Sequence, residues 1–135
     1  MVVLYPGHPL AKKRAIALED LKDEPLLLAA NPRGLDYDVA KVLSEASFTP
    51  RIEATSNLDH IIFSMVQHHL GISIEAALML TDKENAAVLR PFDPPQSRRL
   101  VMAARSFRTL SPAANQFVSH TKAALRKMEP DRILF

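Results

Sequence analysis

An α/β fold is what this sequence predicts, on three observations. "PLLLAA" (25–30) is a continuous apolar run bounded by Pro25 and by Asn31-Pro32-Arg33-Gly34, the pattern of a strand buried on both faces. Two stretches, 35–46 and 56–70, carry apolar residues at helical spacing on either side of a short alternating segment. The elements then run βαβαβαβ, followed by two further strands and a helix, the order that builds a sheet covered by helices.

Val2-Val3-Leu4-Tyr5 is β-branched and aromatic and is closed by Pro6-Gly7, so it reads as a strand. "ALEDLK" (17–22) supplies one helical turn before Pro25. After the 25–30 strand, Leu35, Val39, Val42, Leu43 and Ala46 keep helical spacing, with Asp36 and Asp38 in the first turn where the helix dipole favours them. Thr49-Pro50 ends that helix, and "RIEAT" (51–55) alternates weakly, as an edge strand does. "SNLDHIIFSMVQHHLG" (56–71) is the strongest helix in the chain. Ser56 and Asp59 form a capping-box pattern, Leu58, Ile61, Ile62, Met65, Val66 and His69 one apolar stripe, and Gly71 a stop.

"ISIEAALML" (72–80) opens as a strand and turns helical at the alanines. "AAVLRPF" (86–92) and "RRLVMAAR" (98–105) read as strands joined through Asp93-Pro94-Pro95. Ser111-Pro112 then opens a helix with an N-cap and a proline at its first position. Ala114, Phe117, Val118, Thr121, Leu125 and Met128 line one face of it, and Pro130 lies just past its end.

Composition narrows the function classes. The chain has 135 residues, 47% of them apolar and 24% charged, which suits one globular core. There is no cysteine, so disulfides and thiolate metal sites are excluded. The apolar run Met1 to Tyr5 stops at Pro6 without a basic segment before it, so it does not read as a signal peptide. No apolar stretch approaches the ~20 residues that span a bilayer, so no membrane partner is expected and the cytoplasm is the default. Seventeen basic residues face 15 acidic ones, and the basic residues fall in small separate groups: Lys12-Lys13-Arg14, Arg98-Arg99 and Arg126-Lys127. A DNA-gripping face is denser than that.

No catalytic constellation is present. Ser64, Ser73 and Ser111 lack a nucleophile-elbow setting, and 3 glycines give no phosphate-cradling loop. His68 and His69 point about 100° apart on a helix and cannot chelate as a pair. His60 lacks carboxylate or thiolate partners at ligand spacing. His8 is assigned to the turn. No metal and no cofactor is expected.

Four segments, in order, resemble LysR-type transcriptional regulators. They are "HPLA" (8–11) with its basic cluster and "LEDLKDEP" (18–25), "FTPRIEATSN" (48–57), "VQHHLGISI" (66–74), and "LVMAARSFRTLSPAANQFVSHTKAAL" (100–125). The resemblance spans nearly the whole chain. It implies the family's effector domain, a two-lobed fold similar to type 2 periplasmic binding proteins. Residues 1–16 would then be the crossover strand and loop from the first lobe, and 17–88 the second lobe. Residues 89–135 would be the return crossover with the closing strand and helix of the first lobe. The family's N-terminal winged helix-turn-helix and the opening half of its first lobe are absent from this sequence, so DNA would be met only through that missing N-terminal domain. The family is apolar or carries Pro where this chain has Glu75-Ala76.

Small ligands in such folds bind at the carboxyl ends of strands, facing helix starts. Two places qualify. One is Ala30-Asn31-Pro32-Arg33-Gly34, where free backbone N–H groups and the Arg33 guanidinium suit an anion and where the resemblance also places the effector cleft. The other is the strand end Ser73-Ile74-Glu75, with a carboxylate that needs a partner or an exit to water. The resemblance further implies a subunit interface on strand 51–55 and helix 57–70. Arg51, Glu53 and Thr55 lie on the strand, and His60, Phe63 and Gln67 on the helix flank away from the apolar stripe. A homo-oligomer that binds a small-molecule effector is the leading expectation. A periplasmic-type solute-binding module and an enzyme of the same shape are the competing ones, the last weakened by the missing acid/base pair.

Overall fold

β1 (Val2–Leu4) lies at the centre of a three-stranded sheet, antiparallel to β5 (Ser73–Ile74) on one side and to β6 (Val88–Arg90) on the other. A second sheet is built on β2 (Leu26–Asn31). It pairs with β4 (Ile52–Ser56) in parallel and with the two-residue β3 (Gly34–Leu35) antiparallel. Ile72 joins the two sheets: it bridges Leu26 in parallel, its N–H donates to Pro25 O (2.9 Å), and its carbonyl accepts from Leu27 N–H (2.8 Å). The computed structural model describes residues 1–80, 87–97 and 101–127.

The alternation of β2 explains its unbroken apolar run. Leu26 and Leu28 enter one core with Val39, Val42 and Leu43 of α1 (Tyr37–Ser44). Leu27 points the other way, into a core with Ile62 and Val66 of α2 (Asp59–Gln67). β1 divides the same way, with Val2 and Leu4 in the first core and Val3 in the second. A helix therefore covers each face of β2, and a polar residue at any of these positions would lose its water whichever face it takes.

The segment between β1 and β2 is tied down by specific groups. A 3-10 turn over Pro9–Lys12 starts at His8, which is 3% exposed. His8 Nδ1 accepts from Leu10 N–H (3.1 Å), which fixes the ring proton on Nε2, 3.3 Å from Glu24 Oε2. His8 thus belongs to the turn, as read, and is its packed cap at the core margin. Arg90 reaches across from β6 and donates to Lys13 O (2.6 Å), Ala11 O (2.7 Å) and Leu89 O (2.8 Å). Ile16 N–H donates to Pro91 O and Asp93 N–H to Ile16 O, both at 2.9 Å, so the outgoing and returning segments run side by side.

Several expectations are corrected here. The helix expected over 35–46 begins only at Tyr37, because Gly34–Leu35 folds back on Ala30–Asn31 as β3. Asp36 is the N-cap, its Oδ1 accepting from Asp38 N–H at 3.0 Å. Ser56 does not form a capping box with Asp59. The N-cap of α2 is Leu58, and Ser56 Oγ accepts from Leu58 N–H (3.1 Å), two residues on instead of three. Gly71 does not stop α2 either. His69 takes the left-handed conformation (φ 61°), its N–H donating to Val66 O and that of Leu70 to Met65 O, which ends the helix two residues earlier. The expected single stripe on α2 splits as well: Ile62 and Val66 are buried, whereas Leu58 and Ile61 face water.

The chain divides into two compact units, Met1–Arg98 and Arg99–Phe135. In the second, Val101 to Arg105 are exposed and form no strand, contrary to the strand read over 98–105, whose residues 98–100 lie outside the described ones. A strand is defined by its ladder, and no described strand lies beside these residues. α3 (Pro112–Leu125) forms as expected. Ser111 Oγ accepts from Ala114 N–H (3.3 Å) and Pro112 is its first residue. No residue of α3 is buried, and Phe117 and Val118 with Phe107 and Met102 line an open apolar depression of about 250 Å³. Met128 and Pro130 of the expected helix face and end, and Ala86 of the 86–92 strand, lie outside the described residues.

Candidate functional site

β2, β4 and the segment entering β5 run parallel, so their carboxyl ends share one edge of the Met1–Arg98 unit. At that edge stand the Asn31–Gly34 connection, the start of α2 at Asp59, and Ser73 to Glu75. This is where an open α/β sheet leaves room for a ligand, since the helices begin here and the side chains at strand ends are not consumed by the core.

The 30–34 connection differs in form from the expected loop. It is a hairpin: Ala30 pairs with Leu35 and Asn31 with Gly34, leaving Pro32 and Arg33 at the tip. Gly34 (φ 127°) supplies the left-handed backbone that this return requires. Free backbone N–H groups were expected here for an anion, but few remain. Pro32 has none, Arg33 N–H is taken by Asn31 Oδ1 (2.8 Å), and Asp38 N–H is taken by Asp36. Donation to a ligand therefore falls to the exposed Arg33 guanidinium and the Asn31 amide nitrogen, while Ala30 is half-buried beneath them.

Ser73 is fully buried and its hydroxyl donates to Glu75 Oε1 (3.2 Å). Glu75 is half-buried; its backbone N–H donates to Met1 O (2.9 Å). Ser73 and Glu75 line a crevice with Asp59, Phe63 and Met79 whose free volume is about 10 Å³. That holds one water or one ligand substituent, not a whole metabolite. Asp59 enters this site although its position at a helix start had suggested only capping. Tyr37, the first residue of α1, also lies by this edge with its ring in water, and its place after Gly34-Leu35-Asp36 was the available signal. No group of three or more His, Cys, Asp or Glu side chains is arranged to hold a metal among the described residues.

Of the six residues read as a subunit interface, Glu53 and Thr55 lie on β4, His60, Phe63 and Gln67 on α2, and Arg51 just before β4. Arg51 and Glu53 form an exposed pair (3.0 Å), and Thr55, His60 and Gln67 are exposed. Phe63, expected on the outer flank, is half-buried against Ile62, Val66 and Leu80 and belongs to the second core. Its place on the outside is taken by Leu58 and Ile61, with Ile52 on β4.

The fold defines a class: a mixed α/β fold of the type 2 periplasmic-binding-protein kind. The sequence profile of the LysR substrate binding domain matches residues 1–126, and the chain belongs to that family. It is 32% identical over 127 residues to the uncharacterized HTH-type transcriptional regulator YwbI of Bacillus subtilis, covering 93% of this chain and 42% of that protein. The regulatory domain of CcmR from Synechocystis PCC6803, solved in complex with 2-PG, superposes with a TM-score of 0.76 at 19% identity, over 94% of this chain and 62% of that one. The effector binding domain of QuiR in complex with shikimate gives 0.68 at 24% identity, over 87% and 56%. At these identities the two structures speak for the fold. The chain spans less than half the length of the curated relatives it matches.

Proposed function

We propose that this chain is the effector-sensing and oligomerisation part of a LysR-type DNA-binding transcriptional regulator. The observation that carries the reading is the family match over 1–126, with a parallel-strand edge at which Asn31 and Arg33 are exposed and Asp59 and Glu75 half-buried. Residues 17–88 act as the second lobe, 1–16 and 89–135 as the segments that join it to the first. A small molecule held at the edge and closed over by an opposing lobe would bias lobe closure and so reposition DNA-binding domains carried elsewhere in the regulator. Relatives that are HTH-type regulators favour this over a periplasmic solute-binding module. The role is binding rather than catalysis, and its place the cytoplasm, where DNA is read. No helix among the described residues is long and apolar enough to cross a membrane.

Relatives solved with shikimate and with 2-PG support a small effector, and an anion would be met by Arg33. The subunit contact is assigned to β4 and the outer flank of α2, with Arg51, Glu53, Thr55, His60 and Gln67 around Ile52, Leu58 and Ile61. The test is nuclear magnetic resonance on the isotope-labelled chain titrated with shikimate. Shift changes are expected at 30–34 and 73–75. Changes confined to other surfaces would overturn the reading.

A further inference from the structure

The stretch 9–15 hangs between two buried anchors, His8 and Ile16, and none of its own residues is buried. Ile16 is held by main-chain bonds: its N–H donates to Pro91 O and its carbonyl accepts from Asp93 N–H, beside the buried Phe92. The stretch before it has no such ladder. Its tie to the returning chain is one side chain, Arg90, which donates from Nε to Lys13 O (2.6 Å) and from Nη2 to Ala11 O (2.7 Å). That tie is of a releasable kind. Its acceptors are carbonyls, which water serves nearly as well, and among the described residues no carboxylate forms an ion pair with Arg90. Lys12 and Arg14, both exposed, add like charge on either side of one carbonyl it holds. Lys13 contributes an ion pair to Asp20 (2.6 Å), but such a pair in water is worth little.

We propose that Arg90 is a latch and the Ile16–Phe92 bridge a pivot. The stretch 9–15 lifts away as a unit when the guanidinium lets go, while Ile16 stays joined to residues 91–93. The use of this device rests on the proposed function, in which 1–16 and 89–135 join the second lobe to the first. The latch then sets how readily that joint turns when the lobes close.

Native-state hydrogen exchange in increasing urea, on the full chain without any effector, tests it. The amides of Ala11 and Lys13, bonded to His8 O and Leu10 O, should exchange through an opening that urea does not promote. Those of Ile16, Asp93 and Leu27 should follow global unfolding. Arg90→Gln should speed exchange at Ala11 and Lys13 by about ten-fold or more at zero urea, and Arg90→Lys by less. A parent in which all of these amides exchange in step with urea overturns the latch, because Arg90 then only adds to global stability. Unchanged exchange at Ala11 and Lys13 in Arg90→Gln overturns it too. If Ile16 and Asp93 open together with Ala11 and Lys13, the bridge is no pivot and the proposal fails. These outcomes leave the proposed function where it stands, on shifts at 30–34 and 73–75. A chain that shows the latch without those shifts keeps the device and loses its use.

Discussion

The ring of Tyr5 stacks on that of His69, their centroids 4.2 Å apart and their planes 18° from parallel. His69 is also the residue that ends α2, in a left-handed conformation where glycine is the usual choice. The left-handed backbone costs a side-chain-bearing residue about 1–2 kcal/mol, and a stacked ring pair returns about 0.5–1.5 kcal/mol. The two nearly cancel, and the result is that the end of α2 is fastened to the end of β1.

The first prediction follows from that balance. His69→Gly loses the stack and the backbone strain together, so urea unfolding should place it within about 1 kcal/mol of the parent. His69→Ala loses the stack and keeps the strain, and should be the less stable of the two variants by about 1 kcal/mol. Tyr5→Leu should weaken the parent more than it weakens His69→Gly. Equal effects in both backgrounds would mean that the stack contributes nothing.

Gly71 has a different task from the one its position suggested. A Cβ there would fall on the Pro25 carbonyl oxygen and lie 3.0 Å from Leu27 Cγ. Pro25 O is the acceptor for Ile72 N–H, the bond that draws the β5 segment against β2. Gly71→Ala must therefore push backbone off backbone, and should destabilise by about 2–4 kcal/mol, with the amides of Ile72 and Leu27 losing exchange protection first. A loss of less than about 0.5 kcal/mol would show that the two segments can separate cheaply.

How much of this could be read in advance depends on the range of the interaction. The 25–30 run was legible because burial on both faces leaves a composition, and α1, α2 and α3 because one-sided burial or a Ser-Pro start leaves a period or a cap. β3 was not, since two residues carry no period and its pairing depends on Gly34 turning the chain at once. The 98–105 strand was misread for the opposite reason. Its composition suits a strand, but a strand also needs a neighbour. Phe63 and Ile61 changed places because α2 packs on β1, β2, β4 and β5, and which of its flanks those strands cover is not given by periodicity alone. In the site, Arg33 and Glu75 were legible as charges at element ends, whereas the use of the hairpin donors and the part of Asp59 depend on contacts between distant segments.

His8 and Arg90 hold the β1–β2 connection, and they should fail differently. His8→Ala removes the acceptor for Leu10 N–H and leaves a cavity at a position 3% exposed, an expected loss of about 2–3 kcal/mol. His8→Asn keeps a short acceptor and should recover part of it. Arg90→Lys keeps the charge but cannot reach the carbonyls of Ala11, Lys13 and Leu89 at once, so a loss of about 1–2 kcal/mol is expected. Thermal unfolding of the three variants measures this. If Arg90→Lys matches the parent, the charge near the turn matters and the three-way contact does not.

The last prediction concerns the surface of β4 and α2. Phe63 packs beside Ile62 and Val66, so Phe63→Glu places a carboxylate against the second core and should lower stability by about 2–3 kcal/mol whatever the oligomeric state. It is therefore a poor probe of assembly. Ile61 is the better one. It lies on the same helix, 41% exposed, with Leu58 a turn before it at 48% and Ile52 on β4 at 44%. Among the described strands β4 pairs with β2 alone, so its other side is a sheet edge next to this apolar cluster. A subunit contact would cover both. Ile61→Glu should then leave the unfolding midpoint of the isolated chain nearly unchanged while lowering the mass seen by light scattering wherever the parent self-associates. The same substitution in a full-length regulator carrying this domain should shift the assembly toward smaller species. A parent that stays associated with Glu at position 61 and with Leu58 also replaced would remove β4 and α2 from the interface, and the exposed side chains there would be ordinary surface.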